Sequence, residues 1–319
     1  MRKGITFPVK FIRRFFYAYH SHRDAKAVRQ ILGNAQIDLV DVGSIGGIEP
    51  RWAKIKNSIG YVGFEPDARD AIEKNDEFKS HRVVPFALAS LNSKLSLNIS
   101  RDVGKTSSYK PNMKYLSQYP NSDRFETIKT EVVEAKTIDE IKLANIDFIK
   151  LDIQGGELNA LKGASESLNS VLGIELEVEF KDLYLDQPLF GDICGFLVDK
   201  GFEFIDFVNL CRWERNAFTG LGNCTFGDAL FLRTPEFMAK SNLSEQKIAQ
   251  YIAVLYVYNR FDLIDALWKI DDSLNTKFKG VKKVIKKKRF QYKIAGSINR
   301  LNSALLSLFG VEFRSHLIY

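Results

Sequence analysis

Short apolar runs alternate with stretches of helical spacing between positions 37 and 233. This alternation predicts an α/β domain in which a mainly parallel sheet is covered by helices on both faces. The segments that we predict to be strands are, in order, IDLVDV, GYVGFE, RVVPFALA, IDFIKLDI, VLGIELEVEF, FEFIDFVNL and TFGDALFLR. The polar stretch from Leu91 to Glu134 is too long for a simple connection, and insertions of this length usually cover a site.

The pattern changes at both ends of this region. After Arg233 the strand signals stop, and apolar residues recur at helical spacing in SEQKIAQYIAVLYVYNRFDLIDALWKI. We therefore expect three parts: a basic helical extension over residues 1–36, one α/β domain over residues 37–233, and a second basic helical extension over residues 234–319.

The net charge of +7 is unevenly distributed along the chain. Residues 1–37 carry +7, residues 38–239 carry −9 and residues 240–319 carry +9. A nucleic-acid cleft needs a positive field, so the acidic centre makes nucleic acid an unexpected partner there. In FKGVKKVIKKKRFQYK, one face of a predicted helix is apolar and the other is basic. This pattern suits peripheral contact with an anionic membrane surface, although a solvated face is the alternative. The two faces are formed, respectively, by Val281, Val284 and Ile285 and by Lys282, Lys283, Lys286 and Lys287.

Two further features bear on location. The three cysteines, Cys194, Cys211 and Cys224, form no CxxC pair, which favours a reduced, cytoplasmic compartment. The first twenty residues are basic and aromatic, but Arg13 and Arg14 interrupt any apolar core, so we expect neither a signal peptide nor a membrane span.

The first candidate for chemistry is the glycine-rich turn in DVGSIGG, which follows the first predicted strand. Asp41, Gly43 and Gly47 match the acid and the first and last glycines of a nucleotide-binding turn, and Glu65 ends the second strand in GFEPD. An acid at that place is suited to binding both hydroxyls of a ribose. Glu49 would repel a pyrophosphate, whereas a cationic sulfonium tolerates it, so S-adenosylmethionine is favoured over NAD.

The second candidate is Asp152, which ends the fourth predicted strand in DFIKLDIQGGELNALKGA. The carboxyl ends of the first and fourth strands flank the switch point of an open parallel sheet, so Asp152 should face Gly43 across a ligand crevice. In GIELEVEF, Glu177 and Glu179 lie on the same face of a central strand. Buried acids are costly unless paired, so we expect both near the crevice.

These motifs, in this order, resemble the FkbM family of S-adenosylmethionine-dependent methyltransferases over about residues 37–233. The most specific match is the fourth-strand motif, formed by Lys150, Asp152, Gly155, Glu157, Leu161 and Gly163. The turn departs from the family's DVGANIG at Ser44, Ile45 and Gly46. The resemblance implies a Rossmann-like seven-stranded methyltransferase sheet whose last strand is antiparallel, and it adds Ala87 and Ser108 to the expected cofactor contacts.

The family is associated with O-methylation of sugars, glycans and related natural products, so the resemblance implies transfer of a methyl group to a hydroxyl. We expect Asp152 to act as the base or as a metal ligand, Mg²⁺ being a possible cofactor because hard cations favour carboxylates. Glu177 or Glu179 would orient the acceptor. The alternatives are a nucleotide-dependent sugar oxidoreductase and an RNA-binding or RNA-modifying protein that uses Lys279–Lys293.

Overall fold

The computed structural model describes residues 23–67, 69, 78–215, 222–290, 293 and 297. The basic aromatic segment expected to form most of the N-terminal extension lies outside these residues, as does almost all of the chain after residue 290. Of the helices in the described part of the chain, none combines the length and apolar character that a membrane span requires.

The first half of the described chain contains the elements that form the turn, the crevice and the insertion. They are α1 (23–32), β1 (Ile37–Val42), α2 (Pro50–Ala53), β2 (Ile59–Phe64), β3 (Ser80–Val84), β4 (Ala87–Leu88), β5 (Ser93–Ser100), α3 (Met113–Leu116), β6 (Thr127–Lys136) and α4 (Ile138–Ile141).

The second half completes the sheet and then becomes entirely helical. Its elements are β7 (Phe148–Leu151), α5 (Glu157–Lys162), β8 (Gly173–Glu179), α6 (Phe190–Asp199), β9 (Glu203–Trp213), β10 (Asn223–Leu232), α7 (Pro235–Lys240), α8 (Glu245–Val257), α9 (Phe261–Ile270), α10 (Ser273–Lys277) and α11 (279–290).

Seven strands of the described chain form one sheet in the order β3-β2-β1-β7-β8-β10-β9. β10 runs antiparallel to both of its neighbours, whereas the pairs from β3 to β8 are parallel. The predicted α/β class, the seven strands and the antiparallel last strand are therefore confirmed. Because β1 pairs directly with β7, the turn after β1 and the residues after β7 meet at the same edge of the sheet.

The third predicted strand is the exception, because it divides between two sheets. Residues 80–84 form β3 of the large sheet, and Ala87 and Leu88 form β4 of a second sheet. Pro85 lies between them and has no N–H to donate to a ladder, so a single continuous strand was the wrong interpretation.

The insertion between Leu91 and Glu134 forms a small sheet of its own. Among the described residues this sheet has the order β4-β6-β5, and β5 and β6 pair antiparallel. From Leu95 to Ile99 every second residue of β5 is apolar, and Leu95 and Leu97 border the crevice described below. The insertion therefore covers a cavity, as its length predicted.

The two faces of the large sheet are covered by two apolar clusters, because neighbouring residues of each strand point to opposite faces. Phe148 belongs to one cluster and Ile149 to the other. Helices α8, α9 and α11 pack into the first cluster. Lys247 and Gln250 of α8 also bind the buried Asp147 carboxylate, at 2.6 and 2.8 Å, so α8 is attached by polar contacts as well as by packing.

Candidate active site

The glycine turn after β1 packs directly against the end of β7. Gly43 has φ +77°, and a Cβ atom added to it would lie 2.0 Å from the backbone oxygen of Asp152. Gly46 and Gly47 also have left-handed backbones, but a Cβ atom at either would meet open space. Gly43 is thus required by two conditions, its backbone angle and its contact with Asp152.

A crevice opens beside this turn, between the large sheet and the insertion. Its cavity volume is about 160 Å³. Its walls are mainly apolar. The described lining residues are Val42, Gly43, Ile45, Phe64, Glu65, Pro66, Phe86, Ala87, Leu88, Ala89, Leu95, Leu97, Val103, Gly104, Thr106, Ser107, Ser108, Asp152, Ile153, Gln154, Gly156 and Asn159.

Five of the residues predicted from the sequence border this crevice: Gly43, Glu65, Ala87, Ser108 and Asp152. They come from the ends of β1, β2 and β7, from β4 and from the insertion. The crevice thus brings together residues up to 109 positions apart in the chain. The remaining predicted residues, Asp41, Gly47, Glu177 and Glu179, are not among those that border it.

Asp41 lies beneath the turn and is buried. Its carboxylate accepts a hydrogen bond from the Tyr61 hydroxyl at 2.9 Å and is 3.8 Å from the Lys150 ammonium. Burial raises the pKa of Asp41 to about 6, against the opposing effects of Lys150 and Tyr61. These contacts hold Asp41 in position, so that it supports the turn from below.

Glu65 follows β2 and is 8% exposed. One of its carboxylate oxygens accepts a hydrogen bond from the backbone N–H of Asp67 at 2.7 Å. This contact fixes the acid at the wall of the crevice. Its position at the end of the second strand is the one expected for a group that binds ribose hydroxyls.

Asp152 is the other charged side chain of the described crevice wall, and 37% of its side chain is exposed. Gln154 Nε2 donates to its Oδ1 at 2.9 Å, and Lys150 Nζ lies 3.7 Å from its Oδ2. Burial by itself would lower the pKa of Lys150. The nearby Asp152 and Asp41 carboxylates have the opposite effect, and the pKa of Lys150 is raised overall. Lys150 is therefore a permanent cation that lies between the two acids.

Gln154 connects the crevice to its surroundings and was not predicted. Its amide Nε2 donates both to Asp152 and, at 2.6 Å, to Glu177. Its Oε1 accepts from Lys105 Nζ at 3.1 Å and from the Tyr184 hydroxyl at 2.9 Å. All four hydrogen bonds available to a glutamine side chain are thus made.

The backbone of Gln154 is equally constrained. Its φ is +56°, which is unusual for a residue other than glycine, and its carbonyl accepts a hydrogen bond from Ser107 Oγ at 2.6 Å. Its place between Asp152 and the Gly155–Gly156 pair is the signal that could have identified it. Ser107 borders the crevice beside the predicted Ser108, and its hydroxyl is bound to this backbone.

The three acids of β8 have different environments, although all are buried. Glu175 is 3.6 Å from Arg51 and accepts a hydrogen bond from Tyr258. Glu177 accepts from Gln154, whereas neither oxygen of Glu179 has a hydrogen-bond partner among the described residues. Gln154 thus links Glu177 to the crevice by a hydrogen bond. Glu179 lies deeper in the protein.

Burial raises the pKa values of Glu177 and Glu179 well above the usual range. The charge of Asp152 adds to this effect at Glu177, and Glu157 adds to it at Glu179. Burial also raises the pKa of Asp228, which faces Glu177 on β10, to about 7.

Glu157 begins α5 and is fully buried. Its Oε1 accepts from the backbone N–H of Ile153 at 2.7 Å, and burial raises its pKa to about 7. This bond closes the turn between Asp152 and the helix. Within the described residues, no group of three or more His, Cys, Asp or Glu side chains is arranged to hold a metal ion.

The chain was compared with protein families, curated proteins and solved structures. The model of the methyltransferase FkbM domain matches residues 49–204. No curated protein matches the sequence significantly.

Among solved structures, the chain is similar to methyltransferase FkbM from Methylobacillus flagellatus KT, with 16% identity and a TM-score of 0.35, over 62% of this chain and 43% of that one. It thus spans less than half of that protein. A second is magnesium protoporphyrin IX methyltransferase (ChlM) from Synechocystis PCC 6803 with bound SAM, with 13% identity and a TM-score of 0.31, over 73% and 87%. A third is a TehB-like SAM-dependent methyltransferase from Corynebacterium glutamicum, with 12% identity and a TM-score of 0.32, over 70% and 97%.

Proposed function

Since the chain belongs to the FkbM methyltransferases, S-adenosylmethionine-dependent enzymes, we propose that it methylates a hydroxyl group of a sugar or glycan. The observation that carries this proposal is the Asp152 carboxylate, which borders the crevice and is oriented by Gln154 and Lys150. An alcohol is a poor nucleophile until its proton can leave, so a positioned carboxylate beside the cofactor site suits hydroxyl chemistry.

The crevice has the groups that S-adenosylmethionine needs. Glu65 would bind the ribose hydroxyls, and the apolar walls that include Phe64 and Leu97 would enclose the adenine. The charged side chains of the described lining, Glu65 and Asp152, are both acidic and would attract the cationic sulfonium. When bound, the cofactor supplies an electrophilic methyl group.

The chain's own residues would then orient the acceptor and receive its proton. Asp152 would accept the proton from the sugar hydroxyl as the oxygen attacks. Gln154 holds one Asp152 oxygen, and Lys150 stabilises the negative charge of the other, so the carboxylate does not have to reorganise. Because methyl transfer is an in-line displacement, holding the two reactants in this geometry contributes much of the rate.

Cofactor binding can be tested without an acceptor by calorimetric titration with S-adenosylhomocysteine. We expect binding to the unaltered protein and an affinity about 10- to 100-fold lower for Glu65→Ala, because hydrogen bonds to a charged group contribute about 1.5–3 kcal/mol. Glu236→Ala on α7, an exposed acid away from the crevice, is the matched control and should bind normally.

NADH serves as the comparison ligand in the same titration. If NADH bound and S-adenosylhomocysteine did not, the result would contradict the cofactor assignment and favour the sugar oxidoreductase. With the cofactor established, a panel of sugars and sugar glycosides tests the acceptor class. Methylation of an amine or thiol acceptor, with no sugar methylated, would contradict O-methyl transfer.

We also propose that the protein contacts anionic membranes through α11. The apolar face of this helix packs into the protein, since Val281 and Ile285 are buried. That face therefore cannot insert into a lipid layer. The apolar side of the predicted amphipathic helix packs against the protein instead. A purely electrostatic contact is supported instead by the exposed lysines of α11. These are Lys279, Lys283, Lys286 and Lys287.

Replacing Lys283, Lys286 and Lys287 with alanine should weaken binding to phosphatidylglycerol vesicles by roughly 100-fold, since each lysine near an anionic surface contributes about 1 kcal/mol. Co-sedimentation measures this loss, with phosphatidylcholine vesicles as the neutral comparison. A control with Lys94, Lys162 and Lys181 replaced has the same charge change elsewhere and should retain binding. Equal losses in the two variants would contradict a specific role of α11.

A further inference from the structure

The strand β6 has one paired edge and one open edge. Along one side it pairs with β5 from Thr127 to Ala135. On the other side, β4 pairs only with Ala135 and Lys136. No strand of the described chain pairs with the segment 127–133 on that side, and open edges of this kind are ready to pair with another strand.

The hydrogen-bonding direction along this edge follows from Asn98 of β5. Asn98 exchanges backbone hydrogen bonds with Ser107, at 2.8 and 3.3 Å, on the side away from β6. Its pair with Thr130 is therefore of the non-hydrogen-bonded kind, and the backbone groups of Thr130 point towards the open edge. By the alternation of a strand, Val132 directs its N–H and C=O groups the same way, whereas the register shift between Ile99 and Ser100 places Ile128 at a β-bulge.

The side chains of this segment are also unusual for an unprotected edge. Two apolar residues of the segment are largely exposed, Ile128 by 53% and Val132 by 66%. Lys129 forms an ion pair with Glu131. The edge therefore offers backbone groups, exposed apolar side chains and one charge of each sign within five residues.

This edge is complementary to itself in one antiparallel register, and we propose that a second copy of the chain binds there. With Thr130 on the two-fold axis, Lys129 faces Glu131 of the second copy, and Glu131 faces Lys129 of the second copy. The two Thr130 residues then form a hydrogen-bonded pair, so the register satisfies open backbone groups and pairs opposite charges at once.

The result would be a continuous sheet through two insertions. The interface is isologous, since the same residues, centred on Thr130, serve both copies. It also lies behind the crevice wall, because Val133 and Glu131 pair with Leu95 and Leu97 of β5. Pairing would stiffen the strand that carries these two lining residues. This inference stands apart from the proposed reaction.

Sedimentation velocity over a concentration series from low micromolar to millimolar tests the inference on the full chain. We expect a dimer for the unaltered protein and at least tenfold weaker association for Thr130→Pro. The Thr130 N–H points away from β5, so proline removes no bond of the existing ladder and is tolerated at such an edge. Circular dichroism checks that the variant remains folded.

A charge exchange tests the register itself. Lys129→Glu alone places like charges opposite each other and should weaken the dimer, whereas adding Glu131→Lys should restore it. Val198→Lys, at another exposed apolar residue, is the control and should leave the dimer unchanged. A monomer at all concentrations, a dimer that survives Thr130→Pro, or a folded double variant that stays monomeric would each overturn the proposal.

Discussion

Replacement of Asp152 with asparagine should lower the rate of methyl transfer by about 100- to 10,000-fold, the usual contribution of a positioned acid or base. Asparagine has nearly the same shape and can still accept the hydrogen bond from Gln154. It has no negative charge to receive the acceptor proton or to face Lys150. The loss should therefore appear in turnover, while affinity for S-adenosylhomocysteine changes little.

Formation of S-adenosylhomocysteine, followed with the sugar acceptor that gives the highest rate with the unaltered protein, measures this effect. Asp199→Asn, an exposed acid at the end of α6, is the matched control and should retain full activity. Full turnover by the Asp152→Asn variant would show that the proton leaves by another route. Loss of cofactor binding together with turnover would instead assign Asp152 to the cofactor site.

Replacement of Gly43 with alanine should disrupt the crevice from its base. The added methyl group would lie 2.0 Å from the Asp152 carbonyl oxygen, and alanine does not readily adopt φ +77°. Overpacking and left-handed strain together should lower the free energy of unfolding by roughly 2–5 kcal/mol. The turn can relax only by moving away from β7, so affinity for S-adenosylhomocysteine should also fall severely.

Thermal unfolding and calorimetric titration measure the two effects. Gly33→Ala separates them, because Gly33 has φ +61° but a Cβ atom there would meet nothing within 4 Å. That control has the strain without the clash, so it should be slightly less stable and should bind the ligand normally. If Gly43→Ala matched the Gly33→Ala variant in both measurements, the close packing of the turn against Asp152 would have no functional importance.

The residues whose position could be predicted are those at the ends of parallel strands. Asp152 was expected to face Gly43, and the two are in contact because β1 and β7 are neighbours in the sheet. Glu65 was expected at the end of β2 and borders the crevice there. Strand ends are predictable because the apolar run itself marks the strand and the topology brings the carboxyl ends to one edge.

The insertion was harder to interpret because its residues serve two surfaces. Leu95 and Leu97 of β5 face the crevice, while most of β6 is exposed to solvent, so the sequence of the insertion has the polar character of a long loop. The pairing of β5 with β6 joins segments that are distant in the sequence. This pairing decides which residues of the insertion reach the crevice. Gln154 was missed for a related reason, since its four partners come from separate segments.

The sequence by itself determined the α/β class, the seven strands with an antiparallel last strand, and the acids that follow β2 and β7. These depend on local apolar runs and on motifs of a few residues. Only the tertiary structure decided that Glu179 is buried without a described hydrogen-bond partner, that Gln154 joins Asp152 to Glu177, and that α11 uses its apolar face for packing. The physical reason is that burial and hydrogen-bond partners are properties of the assembled surfaces, which residues distant in the chain form together.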